Sequence, residues 1–251
     1  MSSAVTAGTD TAKYWLPRDV HACRIREGVV LLDIRRDKYF GIAGRQMRAL
    51  SAVVPGWPAT SPPAATEEPL TAEYCQHIAQ LLVEQELLTA DAQTGRNAAP
   101  VDLHFDAMPV SVGRDMYRRC PIRLVDVAKF VTACAVAWWW LKRAGLATAV
   151  ERARRQKQAS TTPPQQFDIE RAAELVSVFR RLRPYFFTAR NHCLFHALTL
   201  TKFLGYYGVF PTWVIGVKTT PWAAHSWVQA GHFMLDATPE DVSYYTPILA
   251  V

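Results

Sequence analysis

The 251-residue chain lacks several features that would place it quickly. Its five cysteines, at 23, 75, 120, 134 and 193, are an odd number with no Cys-x-x-Cys pair, so neither a complete disulfide framework nor a standard structural zinc site is expected. Its most hydrophobic stretch, Val131 to Leu141, covers 11 residues between Lys129 and Lys142. A membrane helix needs roughly 20, so this stretch reads as a buried or partner-facing helix and no membrane insertion is expected. Residues Met1 to Lys13 lack both a basic start and an apolar core, so no export signal is expected. With the unpaired cysteines, that makes a reducing cytoplasm the expected location. There is no Gly-rich phosphate-cradling loop and no internal repeat.

Half of the residues are apolar, 20% are charged and 11% are aromatic, ample material for a buried core, which excludes wholesale disorder. Length divided by a typical domain of about 150 residues leaves one large or two small domains open. The net charge of +6 is uneven: residues 1–90 carry 9 basic against 10 acidic side chains, and residues 91–251 carry 19 against 12. The second part could steer an acidic or phosphate-bearing partner. Its arginines and lysines cluster only at 118–123, 152–157 and 180–183, with no continuous basic stripe, so no nucleic-acid partner is expected.

From Val20 to Ile42, turn-like breaks at Glu27-Gly28 and Arg35-Arg36-Asp37 separate three runs of β-branched and aromatic residues, which predicts three short strands. Met47, Leu50, Val53 and Val54 then recur at helical spacing until Pro55 stops them. After a loop rich in Pro, Ala, Ser and Thr, Thr71 can cap a second helix with the face Tyr74, Ile78, Leu81, Leu82 and Leu88. Residues 91–112 lack periodicity and hold Gly95, Asn97, Pro100 and Pro109, which makes them the expected linker. Beyond it, helical character runs from Met116 to Val150, broken by Pro121 and Gly145, and resumes from Asp168 to Leu182 before Pro184. Cys193 to Tyr206 is a further helix-spaced run. Three extended runs follow, Val209–Val217, His225–Ala230 and Phe233–Asp236, the last two joined by Gly231-His232. The expected class is α+β.

Cys193 stands where a loop hands over to its helix, with Asn191 as the expected cap. Free amides and the positive end of the helix dipole favour a thiolate there. His225 opens one extended run and Asp236 ends the next, so a hairpin would bring them together. Thiolate, imidazole and carboxylate are the three parts of a cysteine hydrolase. The plainer readings are a cysteine that only packs, as expected for Cys23, Cys75, Cys120 and Cys134, and an Asp236 that only caps a turn. Metal binding by His192, Cys193 and His196 is a rival. However, the glutamate of a His-Glu-x-x-His motif is absent, and adjacent residues point about 100° apart on a helix, so no metal is expected. His196 reads as a packing or supporting residue, and His21, His77, His104 and His232 as surface or turn residues. Trp138-Trp139-Trp140 cannot form one stacking platform and reads as core or interface packing. One of Trp213, Trp222 and Trp227 is expected to line a substrate groove, with Trp227 on the strand face of His225.

The segment NHCLFHALTLTKFLGYYGVFPTWVIGV, with AHSWVQA and FMLDATPE, resembles the transglutaminase-like cysteine-protease core of the lasso peptide B proteins, leader peptidases of ribosomally made precursors. The family's nucleophile, histidine and acid fall on Cys193, His225 and Asp236. GVVLLDIRRDKYFGI and the following helix resemble the winged-helix-like recognition module, related to the pyrroloquinoline quinone chaperone, that binds precursor leaders. The resemblance implies a flexible tail at 1–12, a leader-recognition domain at 13–90, a linker at 91–112, and a peptidase domain at 113–251 of helices on a small antiparallel sheet. It also implies cleavage of leader from core, a partner cyclase similar to asparagine synthetase, no cofactor on this chain, and ATP entering through that partner. A non-catalytic leader chaperone and a transglutaminase-like acyl transferase remain open alternatives.

Overall fold

A computed structural model describes residues 13–58, 70–103, 110–112, 120–159, 168–187 and 192–251. The chain forms two compact units, one made of residues up to Asp33 with Lys38–Pro100, the other of Ile34–Asp37 with Val101–Val251.

In the first unit the three expected strands form an antiparallel sheet, β1 (Val20–Ile25), β2 (Gly28–Asp33) and β3 (Lys38–Ala43), with β2 central. Central position explains the unbroken apolar run of β2: it is buried along its whole length, whereas β3, an edge, is largely open. Gly28 is required because a Cβ there would meet the Ile42 carbonyl oxygen at 2.2 Å. Helix α1 (Gly44–Val53) buries Met47, Leu50 and Val53 and stops before Pro55. Helix α2 (Ala72–Glu84) is capped by Thr71, whose hydroxyl accepts from the Tyr74 amide. Leu16, Val29, Leu31, Leu50, Ile78 and Leu87 share one core. Cys23 of β1 is fully buried, and burial pushes its thiol up to about 12, which suits packing and disfavours a thiolate.

The stretch expected to be a linker is anchored at both ends. Thr89 and Arg96 bridge to Trp15 and Leu16, the Ala98 amide donates to the Pro55 carbonyl, and Ala98 is buried. Val110–Ser111 forms a strand of the second unit. Absence of periodicity marks irregular chain, and irregular chain can still be tied down by its backbone groups. His21, expected at the surface or in a turn, is buried in β1, and the Arg96 guanidinium lies 2.9 Å from its Nδ1.

The second unit packs helices on a five-stranded sheet of order β4-β7-β6-β5-β8, with β4 (Val110–Ser111), β5 (Thr212–Thr219), β6 (Trp222–Ala230), β7 (Phe233–Met234) and β8 (Thr246–Ala250). The sheet is mixed, since β4 runs parallel to β7. A two-residue strand and the Pro-containing β8 carry too little alternation to be read from sequence.

Helix α3 (Leu124–Trp139) passes through a π-turn at Trp140–Ala144 into α4 (Gly145–Gln158), and α5 (Ile169–Leu182) and α6 (Cys193–Gly205) follow. Phe130, Phe179 and Phe203 join α3, α5 and α6 with ring centroids 5.2 to 6.1 Å apart. The helical stretch Leu124–Gln158 is 35 residues long and, by length and composition only, long and apolar enough to cross a membrane, a test that a core helix also passes. In this unit its Phe130, Ala133 and Ala137 are core residues.

Candidate active site

Cys193 is the first residue of α6. His192 occupies the cap position (φ −139°, ψ 40°) without a side-chain cap bond, and the expected cap Asn191 lies outside the described residues. Among the described residues no side chain caps the first-turn amides of α6. Cys193 is a free, half-buried thiol.

His225 lies in β6 opposite Gly216 of β5. A Cβ on Gly216 would meet the Trp227 ring at 2.8 Å and the Tyr245 Cβ at 3.1 Å. The glycine thus leaves the space in which Trp227 stacks with His225, centroids 6.1 Å apart at 19°, the shared strand face expected for them. Tyr245 closes the other side at 5.2 Å.

Asp236 follows β7. Its Oδ1 accepts from the Val228 amide at 2.7 Å, and its Oδ2 lies 3.7 Å from Nδ1 of His196 on α6. The hairpin register, Gln229 with Met234 and Ala230 with Phe233, brings Asp236 to the level of Val228, short of His225. The structure nonetheless gathers all three expected residues: Cys193, His225 and Asp236 line one cavity of about 250 Å³, together with Arg183, His196, Asp241 and Tyr245.

Burial sets the charge states. The Asp236 side chain is 4% exposed, and desolvation pushes its carboxyl up to about 7 against the pull of Val228 and Arg180. His196 is pushed down to about 4 by burial, then by Arg183, Arg180 and His225, so it is neutral near pH 7. The pair is therefore no salt bridge: a neutral imidazole faces a carboxyl that burial keeps partly protonated. His225 is also lowered, chiefly by burial. Asp241 opposes that shift and Lys218 adds to it. A neutral imidazole that lines the same cavity as a thiol at a helix start is a candidate acceptor for its proton.

Two further residues join the site. His196 read as a packing or supporting residue, and its Nε2 is buried with no hydrogen-bond partner among the described residues while it lines the cavity from one turn after Cys193. Asp241 is held by a capping box in which its carboxylate accepts from the Thr238 amide, a T-x-x-D signal visible in the sequence. Trp213 and Trp227 spend their indole N–H groups on Ser226 and Gln229, and neither they nor Trp222 line a described cavity. The tryptophans at a cavity reaching Cys193 are Trp138 and Trp139. His192 and His77 are exposed, and His104 lies outside the described residues. Among the described residues no group of three His, Cys, Asp or Glu side chains is arranged to hold a metal ion.

No curated protein and no solved structure matches the chain. Residues 129–250, which hold Cys193, His225 and Asp236, match the family model of the transglutaminase-like superfamily, and this stretch is a transglutaminase-like domain.

Proposed function

We propose that the protein is a cysteine endopeptidase of lasso peptide maturation that holds a precursor leader with residues 13–90 and cuts leader from core at Cys193. The observation that carries the reading is that Cys193, the first residue of α6, lines one cavity with His225 and Asp236. The transglutaminase-like match is consistent with protease or acyl-transfer chemistry, both of which pass through a thioester.

His225 takes the Cys193 proton and the thiolate attacks the scissile carbonyl. The C–N bond then breaks, and the departing amine takes the proton back from His225. Water, deprotonated by His225, next cleaves the thioester to an acid and restores the thiol. The Cys193 amide, in the first turn of α6, is the donor for the oxyanion. Asp236 serves as the buried acid of the set. Leader recognition is assigned to the first unit by the motif resemblance, and β3, an exposed edge, suits addition of the leader as a further strand. The freed core amine then goes to a partner cyclase similar to asparagine synthetase. ATP is that partner's substrate, and the reaction is cytoplasmic.

Cys193→Ala lowers leader removal from purified precursor by roughly 10³-fold or more while leader binding is kept. Undiminished processing by that variant overturns the mechanism. Product mass separates the alternatives: hydrolysis adds one water and acyl transfer does not. Alkylation of Cys193 no faster than that of free cysteine would favour a non-catalytic scaffold.

A further inference from the structure

A second, larger cavity of about 1150 Å³ also reaches Cys193. It runs along α3 and the segment after α5, and Val131, Trp138, Trp139, Leu146, Phe186 and Phe187 line it. Trp138 and Trp139 on α3 are 53% and 47% exposed and Phe186, after α5, is 50% exposed, whereas Phe130, Ala133 and Ala137 of α3 are core. A contiguous apolar surface of this kind marks a binding site. Aromatic rings in it gain most from an apolar side chain that covers them.

Its position relative to the reacting groups says which part of a substrate it receives. The imidazole that protonates the departing amine stands on the leaving-group side of the sulfur. His225 lines the 250 Å³ cavity and is absent from the lining of the groove, while Cys193 lines both. The leaving group therefore belongs with His225, and the acyl side of the substrate extends from Cys193 into the groove. Cys134 also borders the groove, but burial pushes its thiol up to about 11, so it offers surface and not a nucleophile.

We propose that this groove is the acyl-side subsite of the enzyme and selects peptides with an aromatic or branched apolar side chain just before the cleaved bond. The proposal rests on Cys193 being the nucleophile, as argued above.

The test uses the full chain and N-acetyl amino-acid chloromethyl ketones, which place one acyl-side residue at the sulfur. The Cys193 thiolate displaces chloride and a thioether forms, located by mass spectrometry. The Phe reagent is expected to label Cys193 about tenfold or more faster than the Ala or Glu reagent. Trp138→Ala and Phe186→Ala, both at exposed positions, are expected to flatten that preference while the iodoacetamide rate at Cys193 stays unchanged. Equal rates for the three reagents overturn the subsite. So does a Phe preference that survives both substitutions, including the case in which they only change oligomeric state. A Cys193 that iodoacetamide labels no faster than free cysteine instead removes the nucleophile reading, which is a separate failure.

Discussion

Asp236 shows how far a side chain's role depends on its surroundings. In sequence it is a carboxylate two residues before a proline-containing turn, with an ordinary pKa near 3.9. In the fold it is almost fully buried between the Val228 amide and His196, and its carboxyl rises to about 7. A carboxyl whose folded pKa is raised contributes stability that is present below about pH 4 and lost as pH climbs through 7, because the folded state then holds a buried charge that the Val228 amide and nearby arginines only partly offset. Asp236→Asn removes that charge and keeps an oxygen for the Val228 amide. The variant is expected to match the wild type near pH 4 and to be more stable by up to about 4 kcal/mol at pH 8, read by denaturant unfolding across the pH range. A stability difference independent of pH would show that the carboxyl is not held protonated. Burial acts in the same direction on two cysteines, Cys23 and Cys134, whose thiols it pushes up.

Between elements, the β5/β6 pairing sets where His225 sits. Spacing alone places Trp227 on the face of His225, and the structure stacks the two. What spacing cannot show is the partner strand, where Gly216 lies opposite His225 and leaves room for the indole. Gly216→Ala puts a methyl 2.8 Å from that ring. With Trp227 hydrogen-bonded to Gln229 and unable to swing away freely, the expected cost is about 1–3 kcal/mol of stability, together with a slower Cys193 alkylation as His225 shifts. Thermal melting and thiol kinetics on the same sample check both halves. The elements themselves were legible wherever periodicity was strong. Strands β1 to β3, the Thr71 cap and helices α1, α2, α5 and α6 follow the pattern in the chain. Strands β4 and β8 were not legible, since a two-residue strand has no period and Pro247 interrupts the other.

At the level of the whole molecule, length allowed one domain or two, and the fold resolves into two compact units with the division at Pro100. The first has its own core around Leu31, Leu50 and Leu87, to which the irregular stretch ending at Ala98 belongs. A fragment of residues 1–100 is therefore expected to unfold cooperatively in urea, whereas one ending at residue 90 loses the Arg96 and Ala98 contacts and unfolds at lower urea. Equal midpoints would show that residues 91–100 add nothing to the unit.

What the chain determined by itself is local: where apolar residues recur at helical or strand spacing, where Pro and Gly end a run, and that Cys193, His225 and Asp236 come in an order suited to thiol chemistry. Those are properties of neighbours along the backbone. The tertiary structure decided what depends on groups far apart in sequence. It turned Asp236 toward His196, drew Asp241 to the cavity, and sent a groove along Trp138 and Trp139 to the sulfur. Burial and cavity shape are made by whichever residues packing brings together, and a one-dimensional spacing carries no record of them.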